Sequence, residues 1–325
     1  MPWDTYSSVP PYQHLKNEIN NDMSHLKETT KQLIGNQRID QLKQWRTSAK
    51  GWLGYALLPL YPQRAEKIAQ ETFTLFHDHT YQRHPLDNLL RAGLAHKAVR
   101  QQDNEQLATY HRDFWSSNEG TLYHETQQDK FEEVFLGHFA FTVDLLADVL
   151  AANPQITTLC EIGSGSGQLL DHLASQLPQI EHFIGVDLSP GVTETNRQRY
   201  TNPKLSFIAA DAHQWVLEHG QPNWLFVSFR GVLEYFPQQD LESLLSHIAS
   251  QLQPAAFLAI EPIDRDHDLD HDPNSHTYGD DYSFSHNYPS LFQQTGYTLR
   301  HVSHKTLYHH REFAVLATVG IKEPT

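Results

Sequence analysis

The chain has 325 residues, 39% hydrophobic and 19% charged, which is more core-forming material than one average domain needs, so two domains or one with a large appendage are expected. Lys and Arg number 24 against 39 Asp and Glu, a formal charge of −15, with 15 basic against 19 acidic residues up to residue 150 and 9 against 20 beyond it; this argues against a nucleic-acid substrate, whose phosphates need basic neutralisation. The single cysteine, Cys160, excludes a disulfide or a multi-thiolate metal site within this chain, and no apolar run approaches membrane-spanning length.

The first stretch, MPWDTYSSVPPY, has no basic segment leading into an apolar one, so no secretory signal and a cytoplasmic location are expected. Leu15, Ile19, Met23, Leu26 and Leu33 share one stripe of a first helix, ending near Gly35-Asn36. Pro62 suits a first helical turn ahead of Ala65, Ile68, Ala69, Phe73 and Phe76. Pro85 opens a segment carrying Leu86, Leu89, Leu90 and Leu94, and Asp103 or Asn104 caps another through Leu107, Tyr110 and Phe114. Phe131, Phe135, Phe139 and Leu146 fall on one long helix that stops before Asn153-Pro154. Before residue 156 there is no convincing strand.

Beyond it, strands alternate with helices. The strands are 157–162, 182–187, 205–210, 224–229 and 256–261, with helices at Leu169 to Leu177 and Asp240 to Leu252 among the intervening stretches. Such alternation predicts a mostly parallel sheet covered on both faces. Thr298 to Thr306 and Phe313 to Val319 follow with only a turn between them and predict a closing antiparallel pair. The expected fold class is therefore α/β: a doubly wound, mostly parallel, seven-stranded sheet after an all-helical N-terminal domain. The boundary is placed at residues 120/121.

The loop Glu161-Ile162-Gly163-Ser164-Gly165-Ser166-Gly167 lacks the last glycine of a dinucleotide fingerprint, whose place Gln168 takes, and lacks the lysine of a phosphate-binding loop. It suits a cofactor whose near portion is an amino acid and a ribose. Gly185-Val186-Asp187-Leu188-Ser189 follows at the interval a ribose-binding acid keeps from the first glycine, then Ala210-Asp211-Ala212, then Gly231-Val232-Leu233-Glu234-Tyr235-Phe236-Pro237.

In this order and strand context, roughly residues 120 to 320 resemble the class I S-adenosylmethionine-dependent methyltransferases. The resemblance implies S-adenosylmethionine as cofactor, with Glu161, Gly163, Ser164, Gly165, Gly167, Asp187, Leu188, Asp211, Ala212 and Phe229 around it. Asp187 is then the acceptor for the ribose hydroxyls, Asp211 and Ala212 meet the adenine, and Glu161 faces the methionine end. A helix cap or a solvated turn acid is the competing account of each of these acids taken singly.

Methyl transfer from a sulfonium is an in-line displacement needing alignment and dryness more than covalent help. Tyr123, in the segment 115–124 that occupies the place of the family's pre-motif segment, is a candidate on the acceptor side, with a packing tyrosine as the equal alternative. Arg230 and Glu234 flank the cleft after the fourth strand; the arginine suits a substrate carboxylate, or pairs with Glu234. His286, ahead of the next helix, is the fourth candidate. Asp and His alternate through Asp264-Arg265-Asp266-His267-Asp268-Leu269-Asp270-His271-Asp272, with His276 beyond; a metal is the minority reading in a chain with 22 histidines, and a solvated acceptor-side loop the favoured one. The expected activity is methyl transfer to nitrogen or oxygen of a small molecule, with no nucleic acid, no membrane, no metal, and a possible homodimer through the helical domain. Transfer or cyclisation of the aminocarboxypropyl arm, and a non-catalytic partner subunit, are the alternatives.

Overall fold

The computed structural model describes residues 49–74, 84–126, 131–279, 281–309 and 311–322. The expected first helix over Leu15 to Leu33, and Phe76, lie outside the described residues. Helix α1 runs through 49–57 and leads by a turn at Leu58–Leu60 into α2 (Pro62–Glu71), α3 (Pro85–Gln101), α4 (Asn104–Ser116) and α5 (Asn118–Thr126). Pro62 and Pro85 stand in first turns, where a missing N–H costs nothing, and Asp103 caps α4 by accepting the Gln106 N–H at 3.0 Å. Helix α2 is shorter than expected; Phe73 lies past its end, yet it is fully buried with its ring 4.7 Å from that of Tyr110.

The expected single helix from Phe131 is two. A π-helix over Phe131–Phe139 is followed by α6 (Phe141–Ala152), the two bent by 61°. A π-turn interrupts the regular i to i−4 ladder, so the chain changes direction there without a proline. Among the described residues no single helix is long and apolar enough to cross a membrane; only this bent pair passes on length and composition together.

The sheet comprises β1 (Thr158–Ile162), β2 (His182–Asp187), β3 (Leu205–Ala209), β4 (Trp224–Phe229), β5 (Ala255–Ile263), β8 (Thr298–His309) and β9 (Arg311–Lys322), in the order β3-β2-β1-β4-β5-β9-β8. The first five are parallel; β9 runs antiparallel to β5, and β8 antiparallel to β9. The strand count exceeds the expectation: β6 (His276–Tyr278) and β7 (Ser283–Ser285) form a separate two-stranded ribbon inside what reads as a polar loop. Three-residue strands with one aromatic each, His-Thr-Tyr and Ser-Phe-Ser, are too short to show an apolar alternation.

Helices α7 (Gln168–Gln176), α8 (Pro190–Arg199), α9 (Ala212–His219), α10 (Gln238–Gln251) and α11 (Tyr288–Gln294) complete the unit. Successive side chains of each strand point to opposite faces. Leu159, Leu225, Val227, Leu258 and Ile260 pack with Phe135, Phe139, Leu146, Leu170 and Leu173 on one face; Cys160, Ile162, Phe226 and Phe257 pack with Leu241, Leu244, Ile248 and Phe292 on the other. Being covered twice makes β1 and β4 near-continuous apolar runs. A third apolar cluster lies within the helical region, around Ile68, Phe73, Leu90, Leu94 and Leu107, and takes in Phe284 of β7.

Candidate functional site

The carboxyl ends of β1, β2 and β4 open into one cavity, about 1300 Å³ when measured out to its solvent-open mouth. Ligands of open α/β sheets bind at this edge. The floor begins where β1 stops. Gly163 and Ser164 donate their N–H groups to the Val186 carbonyl, at 2.8 and 3.1 Å, turning the chain across β2. Gly163 and Gly165 have φ of +71° and +46°, a left-handed backbone that glycine adopts without penalty. A Cβ on Gly163 would lie 2.5 Å from the Val232 methyls, so residue type is fixed by space as well as by dihedral.

Asp187 organises this loop. One carboxylate oxygen accepts the Gly165 N–H and the other the Ser189 N–H, both at 2.9 Å, while the residue is 8% exposed. From outside, Asn196 Nδ2 donates to the Gly165 carbonyl at 2.7 Å and the Tyr200 hydroxyl to the Ser166 carbonyl at 2.9 Å. Helix α8 thus holds the loop by its backbone, and the cavity side of that backbone is left to a ligand.

Glu161 sits at the end of β1, lines the cavity, and is 3% exposed; its Oε2 has no hydrogen-bond partner among the described residues. Burial first, and then the Asp187 charge, push its carboxyl well above the ordinary carboxylate range. Asp211 lines the cavity and also caps α9, accepting the Gln214 N–H at 3.2 Å, so its capping role and its place in the cavity coexist. Ser164, Leu188, Ala212 and Phe229 line the same space. Gly167 does not: it is the N-terminal cap residue of α7, and a Cβ there would meet the Tyr200 and Phe207 rings.

The far wall follows β4. Arg230 has φ of +66°, rare outside glycine, and its N–H donates to the Ile260 carbonyl at 2.7 Å. Its side chain makes no ion pair with Glu234. That carboxyl instead accepts from the Tyr278 hydroxyl at 2.7 Å, is 9% exposed, and is pushed up to about 8, chiefly by burial. Beneath the turn lies Glu261, fully buried, which accepts from the Gly231 and Val232 N–H groups at 2.9 Å and from the Ser228 hydroxyl at 2.5 Å. Burial holds it up at about 7.

The roof comes from the helical region. Arg112 and Trp115 of α4 and Tyr123 and His124 of α5 line the cavity, opposite Tyr235. The Trp115 ring lies 5.3, 5.6 and 5.7 Å from those of His124, Tyr123 and Tyr235. His124 reaches the glycine loop: a Cβ on Gly165 would be 3.0 Å from its Cε1. Burial keeps the His124 imidazole below its ordinary pKa, although Asp187 acts in the other direction. Thr121 ties α5 to the start of α8 by a hydroxyl contact with Ser189, its N-cap residue, at 2.7 Å.

Twelve of the fourteen expected site residues therefore line one cavity. Gly167 is one exception, and His286 is the other and a correction. Its side chain is fully buried away from the cavity, with Nε2–H donating to the Leu233 carbonyl at 3.0 Å and Nδ1 2.6 Å from the Ser275 hydroxyl. Burial pushes it down to about 4, leaving it a neutral strut under the β4 turn. None of the described residues among 264–286 lines the cavity; the ribbon reaches it through Glu234, which meets the Tyr278 hydroxyl. Arg112, Trp115, Phe131, His124 and Tyr235 also line it and were not among the expected site residues. For Trp115 and His124 the signal is the aromatic density of residues 114–124, which core packing explains equally well. Glu261 is missed too, its only trace being an acid at the tail of an apolar strand.

S-adenosylmethionine, the cofactor the motifs imply, suits this donor set. A close-approach glycine backbone, a strand-end carboxylate and an unpartnered buried carboxylate oxygen match its ribose and cationic methionine end.

Residues 130–317 match a family model described as a methyltransferase domain. No curated protein matches the chain by sequence. Among solved structures, magnesium protoporphyrin IX methyltransferase from Synechocystis PCC 6803, with bound S-adenosylmethionine, is similar at 16% identity and a TM-score of 0.44, over 66% of this chain and 96% of that one. A Leishmania major S-adenosylmethionine-dependent methyltransferase is similar at 15% identity and a TM-score of 0.44, over 65% and 84%. The N-methyltransferase NodS from Bradyrhizobium japonicum gives 14% and 0.38, over 52% and 79%. The family model spans more than half of the sequence and takes in every strand of the cavity floor, so the chain belongs to the methyltransferase-domain family, S-adenosylmethionine-dependent enzymes of the class I fold.

Proposed function

We propose that the chain transfers the methyl group of S-adenosylmethionine to a nitrogen or oxygen of a small-molecule acceptor. The observation that carries this reading is the pairing, across one cavity, of the glycine loop with Asp187 on the floor and an aromatic roof above. When bound, the cofactor supplies a methyl carbon on a sulfonium. Asp187, already oriented by two backbone donors, accepts from the ribose hydroxyls with its remaining lone pairs. Asp211 and the Ala212 backbone meet the adenine. Glu161 faces the cationic methionine end, where its carboxylate form is favoured.

Acceptor binding falls to the β4 wall and the roof. Arg230 is not engaged by Glu234, so its guanidinium is available for an acceptor carboxylate. Glu234, up at about 8 and held by Tyr278, takes a proton from an acceptor that arrives protonated. Trp115, Tyr123 and Tyr235 exclude water and flank a planar acceptor. Residues up to 120 act as the lid of this cavity, with 121–325 as the catalytic domain. A homodimer through the helical domain is the competing use of that region.

The test is the co-product formed on incubation with S-adenosylmethionine and pooled metabolites, read by mass spectrometry against an acceptor-free control. Acceptor-dependent adenosylhomocysteine supports methyl transfer. Methylthioadenosine overturns it in favour of arm transfer, and turnover only on adding a second protein overturns it in favour of a partner subunit.

A further inference from the structure

Outside the cavity, the acid- and histidine-rich segment after β5 draws three side chains together. One ligand-type atom from each of His267, Asp272 and His276 lies within 4.8 Å of the other two. We infer that these three residues form a binding site for a divalent transition metal of the zinc class, which clamps this segment to the base of the β6–β7 ribbon.

The donor set is two imidazoles and a carboxylate, without thiolate, the combination that suits zinc and its borderline neighbours. An ion about 2.0–2.1 Å from each donor in tetrahedral geometry holds donors roughly 3.3 Å apart, so closing the cluster needs at most about 1.5 Å of movement. Both imidazoles carry the outer-shell support that metal-bound histidines have. His276 Nε2 is 3.0 Å from Asp264 Oδ2; a carboxylate only accepts, so Nε2 holds the hydrogen and Nδ1 presents its lone pair. His267 Nδ1 is 2.8 Å from the Ser285 hydroxyl, leaving Nε2, which faces the Asp272 backbone carbonyl at 3.2 Å in the metal-free arrangement. Metal at Nε2 needs only the tautomer with Nδ1–H donating to Ser285, and no net proton loss.

The surroundings favour a dication. Asp264, Asp266, Asp268, Asp270 and Asp272 face a single arginine, Arg265, in this segment. His267 is 7% exposed, and its ring is fixed in place by the Ser285 hydroxyl. The frame is set independently of any ion: Asn287 Nδ2 donates to the Leu269 and Asp272 carbonyls at 2.8 and 2.9 Å, and the Ser275 N–H donates to Gln238 Oε1 at 2.7 Å. His276 begins β6, and two residues on Tyr278 reaches Glu234. The ion therefore acts on the cavity through strand position; it does not line the cavity.

The experiment titrates zinc, and separately cobalt, into the chelator-treated full chain without cofactor, by calorimetry and by visible absorption. Wild type takes up about one ion per chain, and the cobalt form shows the intense bands of a tetrahedral site. Asp272→Asn and His276→Gln, checked for an unchanged circular dichroism spectrum, weaken binding at least about tenfold. His271→Ala, an exposed histidine on the same segment that pairs with Asp268, binds as wild type. No uptake by wild type, a weak octahedral cobalt spectrum, or equal loss in His271→Ala each overturns the site. None of these readouts depends on methyl transfer.

Discussion

Asp187→Asn separates two jobs of one carboxylate. In the folded chain its two oxygens accept the Gly165 and Ser189 N–H groups, both at 2.9 Å and both buried. An amide keeps one acceptor and turns an NH2 toward the other donor. Losing one charge-assisted bond to a buried group costs about 1.5–3 kcal/mol, which lowers the melting temperature of the cofactor-free protein by roughly 3–10 °C. Cofactor binding then loses one acceptor for the ribose as well, a further 1.5–3 kcal/mol or roughly tenfold to a hundredfold in Kd. Thermal denaturation without ligand reads the first effect, and calorimetric titration of S-adenosylmethionine at a temperature where both proteins are folded reads the second. A melting shift with unchanged Kd refutes the ribose role. An unchanged melting temperature refutes the account of the loop.

Three further outcomes test the same site. Burial and the Asp187 charge raise the Glu161 carboxyl well above the ordinary carboxylate range, and a cationic ligand end acts in the opposite direction; titrations of cofactor in two buffers of different ionisation enthalpy then show proton release that disappears in Glu161→Gln, and a wild-type heat independent of buffer sinks this. Gly163→Ala drives a Cβ to 2.5 Å from Val232 in a left-handed backbone, costing about 2–5 kcal/mol; a variant melting like wild type and binding cofactor contradicts the close-approach argument. Glu234 and Glu261 have folded-state values near 8 and 7, above the ordinary carboxylate range, so their contribution to stability is complete below about pH 4.5 and is lost as pH rises through 7 to 8. Urea midpoints should fall over that window, and less so in Glu234→Gln; a midpoint that rises there reverses the sign and refutes it.

What the sequence made legible follows from periodicity and from local chemistry. The apolar runs at Leu159, Leu225 and Phe257 announce doubly covered strands, and Gly163 and Gly165 after β1 with Asp187 at the end of β2 announce the cavity floor. Residues that act through distant contact left no such mark. His286 reads as a site histidine because it stands ahead of a helix, yet its environment is the Leu233 carbonyl and the Ser275 hydroxyl, which only folding brings close. Tyr278 and Glu261 are similar: each finds its partner more than 25 positions away. The break between the π-helix and α6 was illegible because an unbroken apolar stripe describes a straight helix and a bent one equally well.

Phe284 belongs at once to the ribbon beside the β4 turn and to the apolar cluster of α2, α3 and α4. The helical bundle that roofs the cavity and the ribbon beside the β4 turn therefore share one packed core, while the β4 turn joins the glycine floor through the β1–β4 pairing and the contact of Val232 with Gly163. On the proposed function, a change of acceptor would be met by repacking this shared core and the roof above it, with the glycine loop and Asp187 left as they are.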